Sequence, residues 1–83
     1  MLKKEEIIDV CKEILIKNEA LTGEEDIYAI EKKVSSLDSL TKVTILMEIE
    51  EKFDFTIPDE YLAENVLSNI DSLVGLIQEF STK

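Results

Sequence analysis

Eighty-three residues suffice for one small domain and not for two independent cores, so a single domain over residues 1–83 is expected. Nineteen Asp and Glu against nine Lys and Arg give a net charge of −10 at neutral pH. That balance excludes nucleic acid as a partner, because its phosphates need Lys and Arg to displace counterions. It favours basic protein surfaces, toward which the field steers encounter.

A single cysteine, Cys11, rules out an internal disulfide; it falls in an apolar rhythm and reads as a small core residue. No apolar run approaches the length of a membrane span, and the start MLKKEEIIDVCKEI turns acidic at once, unlike a signal peptide. A soluble, cytoplasmic monomer is the expectation. No Asp-x-Asp-x-Asp-Gly loop is present, so no dedicated metal site is expected, only loose binding of divalent ions to clustered carboxylates.

From Leu2 to Asn18, Ile7, Val10, Cys11, Ile14 and Leu15 recur at three- and four-residue steps, the period of a helix. Lys17 suits its negative pole, and Asn18 reads as a left-handed stop. The stretch Glu19–Leu37 is irregular: Thr22-Gly23-Glu24-Glu25-Asp26 reads as a turn, with Ile27, Ile30 and Val34 as anchors and a short helical turn within Ile27–Lys33. A second helix runs from Leu40 to Phe53 with Asp38 as its N-cap. Leu40, Val43, Leu46, Met47, Ile49 and Phe53 are its expected apolar face.

The run DFTIPDE ends that helix, and Ile57 before proline is expected to be extended. Pro58, followed by Asp59 and Glu60, opens a short third helix to about Glu64. The last helix is expected from Ser68, with Ser68 and Asp71 as a capping box and Ile70, Leu73, Val74, Ile77 and Phe80 as its stripe. Gly75 within it either costs about 1 kcal/mol against Ala or permits a close backbone approach. The fold class is all-α, a small bundle of three longer helices plus one short helix.

The chemistry centres on Asp38-Ser39-Leu40. Catalysis by Ser39 is excluded by its surroundings: an unassisted serine needs a base, the chain has no histidine, and no Gly-x-Ser-x-Gly elbow is present. A serine at a helix start is instead suited to modification, because an attached phosphate would meet the positive end of the helix dipole. Leu40 is expected to anchor the first turn to the core and so aim Ser39.

Leu37-Asp38-Ser39-Leu40 heads a helix, Glu50-Glu51-Lys52-Phe53-Asp54 closes it, and Ile57-Pro58-Asp59-Glu60 follows. Together they resemble the acyl carrier protein family over about residues 36–80, and the first helix is compatible with it. The resemblance implies an acyl-carrier-like bundle that catalyses nothing itself. It implies a covalent 4'-phosphopantetheine on Ser39, flanked by Asp38 and Leu40 and attached by a phosphopantetheinyl transferase. The arm's thiol would then hold acyl or aminoacyl groups as thioesters and deliver them to partner enzymes.

In that family the second helix is the main docking surface. Here Glu48, Glu50, Glu51, Asp54, Asp59 and Glu60 are the candidates to meet basic patches, against the plainer reading that they only solubilise the domain. Val43, Met47, Ile57, Leu62 and Leu67 are candidates for an acyl pocket, or ordinary core. Lys42 and Thr44 stand where fatty-acid carriers usually show acids, and Leu37 stands where Gly or Ala is common. The stretch 61–68 is longer than in the fatty-acid type, which brings the chain closer to discrete carriers of polyketide or amino-acid pathways. An aminoacyl carrier loaded by an adenylating enzyme stays open, as does an unmodified acidic adaptor. A second Asp-Ser-Leu, Asp71-Ser72-Leu73, falls inside the last helix and is rejected as a modification site.

Overall fold

The computed structural model describes residues 3–58 and 66–81. Helix α1 spans Lys4–Lys17 and buries Ile7, Cys11, Ile14 and Leu15, as its period predicts, while Val10 is only partly buried at the edge of the core. The left-handed residue after it is Glu19 (φ 62°), whereas Asn18 keeps φ −91°. The expected stop is therefore one residue out, and a hydrogen-bonding task explains why. Asn18 Nδ2 donates to the Ile14 carbonyl at 2.8 Å and to Glu48 Oε2 at 3.3 Å, tying the end of α1 to the next long helix.

The irregular stretch closes on itself. Glu25 Oε1 accepts from the Thr22 amide and from Lys33 Nζ, which hold its carboxyl below the usual range, the Lys33 hydrogen bond first. A 3-10 turn at Ile27–Ala29, the short helix α2 (Ile30–Lys33) and a further 3-10 turn at Val34–Ser36 follow. Ile27, Ile30 and Val34 are buried, as expected for the anchors of a long connection.

Helix α3 spans Ser39–Phe53. It buries Ile45, Leu46, Ile49 and Phe53, while Leu40, Val43 and Met47 are 76%, 51% and 60% exposed. The expected face is thus half wrong. Apolar residues cover more than half of the circumference of α3, so periodicity alone cannot choose the buried arc; packing against α1 chooses it. Asp54 (φ 55°) ends α3 in the left-handed conformation, with its amide and that of Phe55 both bonded to the Glu50 carbonyl.

The expected short helix from Pro58 to Glu64 falls largely outside the described residues. Helix α4 spans Ile70–Phe80, preceded by a 3-10 turn at Val66–Ser68. Its N-cap is Asn69, whose Oδ1 accepts the Ser72 amide at 3.2 Å, not Ser68. The buried Val66 and Leu67 hold Ser68 in the preceding turn, one residue short of the cap. Asp71 is no capping partner either: it accepts from Tyr28 Oη at 3.0 Å and pairs with Lys4 at 3.6 Å. Ile70, Leu73, Val74 and Ile77 are buried as predicted, together with Leu76, whereas Phe80 is 42% exposed. No atom lies within 4 Å of a Cβ built on Gly75, so a close backbone approach does not account for that glycine.

The long helices enclose one apolar core, and no polar or charged side chain is buried among the described residues. Lys17 pairs with Glu48, and Glu13 and Ile14 share a charged groove with Glu51 and Lys52, so α1 and α3 run in opposite senses. Ser81 Oγ donates to the Phe53 carbonyl at 2.7 Å, joining the far ends of α3 and α4. Among the described residues no helix is long and apolar enough to cross a membrane.

Candidate functional site

Asp38 is extended (φ −76°, ψ 166°), and its Oδ1 accepts the Thr41 amide at 2.7 Å. This is the predicted N-cap, and it makes Ser39 the first residue of α3. The Thr41 hydrogen bond foremost holds the Asp38 carboxyl below its usual range, with the Leu40 amide and the Lys42 charge adding to it. Ser39 is exposed. Its hydroxyl makes no hydrogen bond to a described residue, in contrast to nearby Ser36 Oγ and Thr44 Oγ1, which donate to the Lys33 and Leu40 carbonyls.

What aims Ser39 is not Leu40, which points to solvent. The anchors lie before it. Val34 is buried, and Leu37 packs against the core with its amide bonded to the Val34 carbonyl at 3.2 Å. Leu37, a departure from the family pattern when read as sequence, thus fastens the chain three positions before α3's second residue. An apolar residue between turn and cap was the available signal.

The proposed docking acids separate into groups. Glu51 and Asp54 are exposed on α3. Glu48 is turned toward α1, where it pairs with Lys17 at 3.5 Å and accepts from Asn18. Glu50 Oε2 accepts the Ile57 amide at 2.6 Å and so holds the chain leaving α3. Both are committed within the fold, because an unpaired backbone amide or helix end is stabilised by the nearest carboxylate. Asp59 and Glu60 lie outside the described residues.

The candidate pocket residues are not brought together. Val43 and Met47 face solvent, Ile57 and Leu67 are fully buried in the core, and Leu62 lies outside the described residues. What the structure does assemble is an outward apolar stripe, Leu40, Val43 and Met47, beginning beside Ser39 and leading to Glu51 and Asp54. At about 100° per residue Leu40, Val43, Met47 and Glu51 share one side of the helix, and Asp54 caps its end. The signal for it was an α3 with more apolar positions than one buried face can hold.

Cys11 is fully buried, and desolvation pushes its thiol up to about 12, which makes it a core residue and not a nucleophile.

An all-helical bundle that presents an exposed serine at a capped helix start beside an apolar stripe has the features of a small carrier domain. Across 80 residues the chain is 35% identical to an acyl carrier protein of Kocuria rhizophila, covering 93% of this chain and 94% of that protein. It belongs to the acyl carrier protein family, and is accordingly a carrier and not an enzyme. No protein-family profile and no solved structure matches it.

Proposed function

We propose that the chain carries acyl or aminoacyl intermediates as thioesters on a 4'-phosphopantetheine arm attached to Ser39. The observation that carries this reading is the exposed hydroxyl at the first position of α3, without a hydrogen bond to any described residue, on a helix start capped by Asp38. The residues present fit the group: Ser39 is exposed, and the helix start favours a phosphate. In attachment, Ser39 Oγ forms a bond to the phosphorus of coenzyme A that bears the pantetheine. The pyrophosphate bond breaks, 3',5'-ADP leaves, and the hydroxyl proton passes to the transferase. The arm, when bound, supplies the thiol that the cargo esterifies.

Partner enzymes with basic rims and an apolar centre dock on the outward face of α3. Leu40, Val43 and Met47 form the apolar middle, with Glu51 and Asp54 at one end. Such visits suit a cytoplasmic monomer. Between acyl and aminoacyl cargo, the absence of acids from the first turn of α3 favours a pathway other than bulk fatty-acid synthesis. Loading by a malonyl transferase or by an adenylating enzyme separates the two.

Intact-protein mass spectrometry after incubation with coenzyme A, magnesium and a promiscuous phosphopantetheinyl transferase tests attachment. Wild type and Ser72→Ala are expected to gain one arm, and Ser39→Ala none. An arm on Ser39→Ala rejects the site. No gain in wild type beside a modified control carrier moves the reading to an unmodified acidic adaptor.

A further inference from the structure

We propose that Lys42 is a positioning residue for the arm: its ammonium pairs with the phosphodiester on Ser39 and sets the side of α3 along which the arm leaves. The proposal rests on attachment at Ser39.

Lys42 stands three residues after Ser39 on the same helix, and side chains at that spacing are neighbours, with Cβ atoms about 5–6 Å apart. Its side chain is half-buried, so part of the stem is packed, as is usual for a long cationic side chain on a helix. Its charge adds, behind the Thr41 and Leu40 amides, to holding the Asp38 carboxyl below its usual range.

That carboxylate is already engaged by the Thr41 amide. Lys42 forms no ion pair among the described residues, whereas Lys4, Lys17 and Lys33 each have a carboxylate partner. The first turn of α3 contains no acid to compete. A phosphodiester on Ser39 Oγ is therefore the anion that Lys42 lacks.

The direction has a consequence for docking. Around the helix, Lys42 lies roughly 60° to one side of Ser39, while Leu40, Val43 and Met47 lie roughly 40–100° to the other. Pairing with Lys42 draws the base of the arm away from the apolar stripe and leaves the stripe open to a partner.

The test is the effect of the arm on thermal unfolding. Apo and holo forms of wild type, Lys42→Met, Lys42→Gln, Lys42→Arg and Lys52→Met are compared, each holo form verified by intact mass. At low ionic strength the apo-to-holo change in Tm is expected to be more favourable in wild type than in Lys42→Met or Lys42→Gln by about 2 °C. Lys42→Arg keeps the difference. So does Lys52→Met, because Lys52 sits roughly 20 Å along the helix from Ser39. About 0.5 M salt removes it.

A merely structural Lys42 shifts apo and holo forms equally, so equal apo-to-holo changes in wild type and both neutral variants overturn the proposal. That outcome leaves attachment standing, since the masses verify the arm. An unmodified wild type instead rejects attachment, and the proposal with it.

Discussion

Glu50 Oε2 accepts the backbone amide of Ile57 at 2.6 Å, across seven residues and past the left-handed turn at Asp54. A carboxylate that reads as part of an acidic docking face instead fastens the exit of α3. Ile57 is buried, so its amide has little access to water if the carboxylate is removed. Glu50→Ala is expected to destabilise the domain by about 1–3 kcal/mol, the penalty for a buried donor without a partner. Glu51→Ala, at an exposed neighbour, is expected within about 0.5 kcal/mol of wild type. Urea unfolding of the two variants checks the contrast.

The two Asp-Ser-Leu triplets are expected to separate stability from docking. Leu73 is 1% exposed, and Leu73→Ala is expected to cost about 2–5 kcal/mol through lost burial and a cavity. Leu40 is outward, and Leu40→Ala is expected to change stability by less than about 0.5 kcal/mol. It is instead expected to lower kcat/KM for modification by the transferase about 5–10-fold, the effect of losing one apolar contact at an interface centre. Unfolding curves and transfer kinetics on both variants read the two effects.

Asp38 predicts an acid limb. Its carboxyl lies below the unfolded value of 3.8, chiefly through the Thr41 amide. A depressed folded pKa means that its contribution is fully present above that unfolded value and is lost as the pH falls below it toward the folded one. Wild type is expected to lose Tm in that acid range more steeply than Asp38→Asn, which keeps a capping oxygen without a titrating charge. Equal acid slopes in the two proteins would argue against the capping charge.

Gly75 is exposed, inside α4, with open space where a Cβ would stand and no positive φ. Gly75→Ala is expected to stabilise the domain by about 0.5–1 kcal/mol, because alanine loses less backbone freedom on entering a helix. Calorimetry should show this as a Tm rise of several degrees.

Much was legible in the residues alone, and for local reasons. Capping is a contact across three residues, so Asp38 and the start of α3 could be read from sequence. Stripes at helical spacing revealed the buried faces of α1 and most of α4, and with them the all-α class. The motif around Ser39 led to the family that a relative across 93% of the chain supports.

Only the tertiary structure decided what each surplus residue faces. In α3, apolar residues outnumber the places on one buried arc, so α1 determines that Ile45 turns inward while Val43 and Met47 turn outward. In the acidic stretch, Glu48 and Glu50 differ from Glu51 because Asn18 and the Ile57 amide approach from elsewhere in the chain. Identical triplets gave an exposed Leu40 and a buried Leu73. Local spacing is set by the helix itself; exposure is set by what packs against it, from a segment seven residues on, as at Glu50, to a helix tens of residues away, as at Glu48.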